Sequence, residues 1–367
     1  MVTEVKNIPP DLQFDTSSLR PGAVLKEADL RGKSLPGVEL KGADLAGANL
    51  QNVDLSDASL QAVNLENADL QGINLLNSDL TGANLTGANL TGAVLSGVTL
   101  KECRLRSVIF DEATIAESDL MGVDFRTASL ARANLSISDL TNANLAGCNL
   151  NGANLEGANL DGTNLARARL VGVNLTGANL TGSNLAEAEF SDAILSQADL
   201  FKITAPGAIF KGASLENANG RLADFSECDF SGANASSANF ERATFSGTRM
   251  EEFIAEGAVF EFADLSSVKM IQANYIQANF VGALLAESKA ASCNFHNADF
   301  YWAIMETFKM MNCNIAGARF PEKVKVVYGP KGVAPPVVKS VPLYRKAATA
   351  AERNKLLEAA LELESSK

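Results

Sequence analysis

The chain has 367 residues, is 47% hydrophobic and 6% aromatic, and carries a formal net charge of −12 with five cysteines and one histidine. No apolar run is long enough to span a bilayer, and residues 1–14 lack a basic stretch followed by an apolar core, so no secretory leader is expected. The chemistry-bearing residues are few, which leaves little material for an enzyme.

Residues 1–20 are punctuated by Ile8-Pro9-Pro10 and are out of phase with everything that follows. They read either as an N-terminal cap, with Leu12, Phe14 and Leu19 as a lid on the first coil, or as a free arm.

From residue 21 to residue 320 a five-residue pattern repeats without insertion or deletion. It is clearest in Ala-Asn-Leu-Thr-Gly, at residues 83–87 and again at 88–92. With the large apolar residue taken as the centre, centres fall on every multiple of five from Leu25 to Phe320. Of these 60 positions, 35 are Leu and 13 are Phe. A small residue, usually Ala, lies two before each centre, and Asn or Asp lies one before most of them. A period of five is neither the 3.6 of a helix nor the 2 of a strand, and repeats this strict indicate a solenoid.

The pattern resembles the pentapeptide-repeat family, whose consensus is Ala-(Asp/Asn)-Leu-x-x. The resemblance covers about four-fifths of the chain. It implies an all-β solenoid, a right-handed quadrilateral β-helix with four pentapeptides to the coil. The centre and the small residue would point inward, and the Asn/Asp and the two x residues outward. Sixty repeats then make about 15 coils, and stacking at about 4.8 Å gives a rod on the order of 70 Å. Centres twenty apart share a face, so Phe240, Phe260, Phe280, Phe300 and Phe320 should form a ladder of rings.

Exceptions test the packing. Ala205 and Ala255 are too small for centres, but their small slots hold Ile203 and Phe253, so large and small have exchanged places at roughly constant volume. Gly220, Ala235 and Ala290 lack such compensation, and looser packing or a distorted turn is expected there.

After Phe320 the phase is lost. Residues 321–348 read as a short strand around Val324, Val326, Val327 and Tyr328 that could cover the last coil, then a Pro/Gly-rich linker. Residues 349–367 read as an amphipathic helix opened by the capping-box spacing Thr349-x-x-Glu352. Leu356, Leu357, Ala360 and Leu361 lie on its apolar stripe. A lone short helix is marginal in water, so it either docks on the rod, on a second copy or on another protein, or frays.

Cys103, Cys148, Cys228, Cys293 and Cys313 all occupy the small inward slot and have no metal-ligand spacing, so they read as reduced thiols used like Ala. Cys293 and Cys313 are twenty apart and should stack. His296 lies alone at a corner, which makes neither a triad nor a metal site. No catalytic residue, metal or cofactor is expected. Tyr301 and Trp302, adjacent at a corner, are either a contact hot spot or packing for the tail.

Charge is the more informative surface feature. The repeat carries −15 and residues 321–367 carry +4. Counted in twenties from residue 21, positions 16–20 hold Glu39, Asp57, Asp79, Glu117, Asp119, Asp139, Glu156, Asp199, Glu216, Glu256 and Asp299, against one cation, Arg319. Arg167, Arg169, Arg249, Lys269, Lys289 and Lys309 fall on or beside the opposite arm. The loaded side is either a recognition surface or a solubilising one.

Three readings follow. The chain is a non-enzymatic structural or protein-interaction rod, a component or adaptor of a larger assembly such as a phage or secretion particle. Alternatively it is an acidic DNA mimic that binds a DNA-binding protein, as the resemblance implies, since one branch of the family mimics DNA and binds DNA gyrase. This chain lacks the loops that interrupt the repeat in some gyrase-protecting members, and it is longer. The last reading is a cytosolic scaffold. The expected partner is a protein, with no membrane and no direct nucleic-acid binding, and a homo-oligomer through the C-terminal helix is open. The expected location is the cytoplasm, or the virion if a phage encodes the chain.

Overall fold

The computed structural model describes residues 18–321, together with the backbone of Val324–Lys325 and Val337–Val338. The chain divides into two compact units, Met1–Ile194 and Leu195–Lys367. Both are built from the same element, one pentapeptide per side of a four-sided coil.

The backbone hydrogen bonds of a single repeat explain its consensus. In residues 44–48, the N–H of Asp44 donates to Ala23 C=O on the preceding coil (2.8 Å). The N–H groups of Leu45 and Gly47 donate to Asn64 and Glu66 C=O on the following coil (2.7 and 2.8 Å). Ala48 N–H closes the corner onto Leu45 C=O (3.0 Å). One donor is left, Ala46 N–H, and Asp44 Oδ1 accepts it at 3.3 Å. All five donors are thus satisfied, as buried backbone requires. The Asn/Asp before each centre is there because its side-chain oxygen caps the turn two residues on. It is half-buried and structural as well as polar. Many of these amides also bond along the stack, as Asn64 Nδ2 does to Asp44 Oδ1 at 2.9 Å.

The corners share one backbone state. Every residue whose number ends in 2 or 7, from Gly22 to Gly317, has φ between 54° and 73°. Only the second central residue of each turn is left-handed, the signature of a type II turn. Glycine fills 25 of these corners and other residues fill 35. The Thr-Gly of the repeat is therefore a turn device.

Residues twenty apart pair in parallel within each unit. In the C-terminal unit one side widens into three-residue strands. These are β1 (Arg249–Glu251), β2 (Lys269–Ile271), β3 (Lys289–Ala291) and β4 (Lys309–Met311), in the order β1-β2-β3-β4. Beyond the repeat, β5 (Val324–Lys325) pairs antiparallel with β6 (Val337–Val338). The sequence suggests a strand at Val324 laid over the last coil and a linker further on. The partner of that strand lies inside the stretch read as linker.

The core is the predicted one. Leu45, Leu85, Leu145 and Leu165 have no exposed surface, and neither do Ala43, Ala83 and Ala133. The phenylalanine ladder stands in the C-terminal unit. Phe240–Phe260, Phe260–Phe280, Phe280–Phe300 and Phe300–Phe320 stack at centroid distances of 5.4, 5.1, 4.8 and 5.2 Å. Ile203 and Phe253 are buried beside their alanine centres, so both exchanges are real. The expectation of loose packing at Gly220 is corrected. A Cβ there would sit 2.5 Å from Phe240 and 3.3 Å from Phe225, so those rings already occupy the space.

Among the described residues there is no α-helix. The predicted helix at 349–367, with Leu356, Leu357, Ala360 and Leu361, lies outside them, as do Leu12 and Phe14 of the predicted lid. Leu19 is described and is half-buried.

Candidate functional site

The N-terminal unit carries the larger part of the acidic side. Its described residues include 21 carboxylates and 12 Lys or Arg. Seven of the carboxylates, Glu39, Asp57, Asp79, Glu117, Asp119, Asp139 and Glu156, occupy positions 16–20 of successive twenties, where there is no cation. The parallel pairings Asp79↔Thr99, Thr99↔Asp119, Asp119↔Asp139 and Asp139↔Asn159 put them on one face.

Ion pairs are found elsewhere in the unit, at six of the fourteen carboxylates off this face. The cations bind Asp29, Asp44, Glu112, Asp124, Glu187 and Glu189. Among the described residues no cation bonds to any of the seven face carboxylates. Their partners are neutral. Thr141 donates its hydroxyl (2.5 Å) and its N–H (2.9 Å) to Asp139 Oδ1. Met121 N–H donates to Asp119 Oδ1 (3.2 Å). Thr81 and Gln61 donate to Asp79 (2.6 and 2.7 Å), and the Thr81 hydroxyl, ahead of the other contributions, holds that carboxyl below the ordinary aspartate range. Asp79, Asp119 and Asp139 thus cap turns, while Asp57, Glu117 and Glu156 stand exposed at the corners.

Two apolar side chains that the acidic pattern does not reveal flank this face. Met121 is 53% exposed and Ile137 68% exposed, the most open of the large hydrophobics in the unit. They sit at the two corners that bracket Asp119 and Asp139. A sequence signal was present for Ile137, which fills a corner place that Gly, Asn, Ser or Thr holds in most repeats. Exposed apolar side chains beside polar ones are common in protein contacts.

In the C-terminal unit the acidic side thins out. Asp199 caps Phe201 N–H (3.0 Å), Glu216 accepts from Asn234, and Glu256 is exposed. Arg319 reaches Asp299 Oδ2 at 3.5 Å and lies 3.8 Å from the Tyr301 ring centroid. Tyr301 and Trp302 pack on each other at 5.3 Å and are half-buried. The opposite face presents Arg249, Lys269, Lys289 and Lys309 in register, all exposed.

Cys148, Cys228 and Cys293 are buried and Cys103 and Cys313 half-buried. His296 Nε2 lies 3.2 Å from Asn297 Nδ2. Among the described residues no three His, Cys, Asp or Glu side chains gather as metal ligands, and no helix is long and apolar enough to cross a membrane.

A family model, "Pentapeptide repeats", matches the chain in eight copies, at residues 22–57, 58–97, 88–126, 128–167, 138–177, 168–202, 207–234 and 276–306. Among solved structures the chain is similar to HetL, a pentapeptide repeat protein involved in heterocyst differentiation regulation from the cyanobacterium Nostoc sp. strain PCC 7120. The identity is 29% over 65% of this chain and 90% of that one, with a TM-score of 0.30. It is also similar to Rfr23 from the cyanobacterium Cyanothece 51142, at 36% identity over 26% of this chain and 65% of that one, TM-score 0.20. QnrB1, a plasmid-mediated fluoroquinolone resistance protein, matches at 20% identity over 50% of this chain and 87% of that one, TM-score 0.28. No curated protein matches.

Proposed function

We propose that this chain, which belongs to the pentapeptide-repeat family, is a non-enzymatic protein-interaction solenoid that acts as an adaptor in a larger assembly. Its recognition surface is the acidic face of the N-terminal unit, and its partner is a basic protein surface. One observation carries the reading: seven carboxylates share a face that holds no cation and on which none of them is ion-paired, while six of the unit's fourteen other carboxylates are ion-paired. Unpaired charge of one sign steers association and selects a partner of the opposite sign. Met121 and Ile137 supply the apolar anchors. The cytoplasm, or a virion, is the location consistent with this role.

The same face favours a second reading, the acidic DNA mimic. Seven carboxylates over eight coils is about one per 5–6 Å at a coil rise of about 4.8 Å. A DNA strand carries a phosphate every 3.4 Å or so. The lower density, together with the apolar corners, favours a basic protein surface over the surface of a DNA-reading one.

The test compares two triple variants. Asp119→Asn, Asp139→Asn and Glu156→Gln remove face charge and keep the Oδ1 caps. Asp44→Asn, Glu66→Gln and Asp192→Asn remove the same charge elsewhere. Partner capture from an extract of the source cell should fall for the first and persist for the second. Equal loss from both would reduce the face to bulk charge.

A further inference from the structure

Among the described residues of the N-terminal unit one parallel pairing between coils is missing, and beside it Leu100 N–H and Asp119 N–H also lack their inter-coil partners, Asp119 and Val98 C=O. Asn84 pairs with Arg104, and Asp124 pairs with Asn144, but Arg104 and Asp124 do not pair with each other. The neighbouring rungs are closed by Leu85 N–H to Arg104 C=O and by Asn144 N–H to Val123 C=O, both 2.9 Å. The corresponding bonds from Leu105 N–H to Asp124 C=O and from Asp124 N–H to Cys103 C=O are absent. Neither N–H has another partner among the described residues.

The seam opens into a cleft of about 540 Å³, lined by Thr86, Cys103, Arg104, Arg106, Arg126 and Thr127, among others. It reaches the interior. Cys103 is half-buried where Cys148 and Cys228, in equivalent slots, are buried.

Arg104 stands in the slot that holds Asn or Asp elsewhere, so it has no carbonyl or carboxylate oxygen to cap Arg106 N–H. Its counter-ion on the next coil would be Asp124. That carboxylate is already gripped by Arg126, through Nε at 2.9 Å and Nη2 at 2.7 Å. Arg104 and Arg106 are therefore left without an ion pair among the described residues. Two guanidinium groups and two unpartnered backbone N–H groups converge on one opening, while the Asp124–Arg126 pair beside them is neutral.

We propose that this breach binds a small oxyanion, a phosphate or a carboxylate. The Arg104 and Arg106 guanidinium groups hold it by charge-assisted hydrogen bonds, and the N–H groups of Leu105 and Asp124 complete its shell. This is the chemistry of anion recognition by forked guanidinium and backbone donors.

Amide hydrogen exchange over residues 101–107 and 121–127 of the full chain tests it, with inorganic phosphate and succinate as probes against sodium chloride of equal ionic strength. Exchange at Leu105 and Asp124 should be fast without anion and slow saturably with one probe, which tells phosphate from carboxylate. Arg106→Gln should weaken binding about tenfold or more, the loss expected for one charge-assisted contact. Arg104→Asn restores the cap, so it should slow exchange without any anion and abolish binding in a chain that is better folded. Slow exchange in the anion-free native chain would overturn the proposal. So would fast exchange that neither probe alters, or binding that survives Arg106→Gln.

Discussion

Ile137 is a β-branched residue held at φ 59° on an exposed corner. Such residues are costly in the left-handed region, by about 1–2 kcal/mol, and glycine is not. Ile137→Gly should raise chemical stability by about 1 kcal/mol, read as a higher urea midpoint. If the acidic face is the recognition surface, the same change should weaken partner capture. The thiols offer a second check. Burial, the largest influence, pushes Cys148 and Cys228 up to about 12. Cys313 differs, because the neighbouring Cys293 thiol donates to it and holds it below the ordinary thiol range. Only the thiolate is nucleophilic, so iodoacetamide at neutral pH should modify Cys313 first. Cys148 and Cys228 should stay protected until the chain unfolds. The sequence treats all five cysteines alike, as reduced thiols used like Ala in the inward slot. The slot is legible in the period, but the contact that sets Cys313 apart depends on how two side chains turn within it.

At the scale of the coil, the interior was legible and the seams were not. The spacing of centres alone places the Phe240–Phe320 ladder and the Ile203 and Phe253 exchanges, because a fixed period determines which side chains share a layer. Gly220 misleads for the same reason: its own layer lacks volume, and the Phe240 ring one coil on fills it. Gly220→Ala should therefore overpack the core, costing about 1–3 kcal/mol in an equilibrium denaturation. The open rung at Arg104 escapes a reading by period, since the period treats every coil alike. The lysine column is a case of matched register with a different consequence. Lys269, Lys289 and Lys309 face the same way on adjacent strands, and like charges about 4 Å apart repel by about 1 kcal/mol in bulk water. Lys289→Gln should stabilise the C-terminal unit by a few tenths of that, and the gain should vanish at high salt as screening removes the repulsion.

For the whole molecule, charge placement yields the discriminating experiment. The net charge of −12 is unevenly spent: residues 321–367 are positive, and the N-terminal unit has a face where seven carboxylates bind no cation. Partner association led by that face should be fast at low salt and slow steeply as salt rises, since steering acts over about a Debye length, some 8 Å at physiological ionic strength. The Asp119→Asn, Asp139→Asn, Glu156→Gln variant should show a lower on-rate and a flatter salt dependence, with little change in off-rate. A chain ending at Phe320 should bind as the full chain does. Duplex DNA then separates the two readings. If the face imitates DNA, duplex added to the captured partner should displace the chain in proportion to its own affinity for that partner. If the face is an assembly contact, duplex should leave the complex intact at matched ionic strength. Loss of binding on truncation at Phe320, with the acidic triple variant unaffected, would move the interface to Leu356, Leu357, Ala360 and Leu361 and refute the acidic face as the handle.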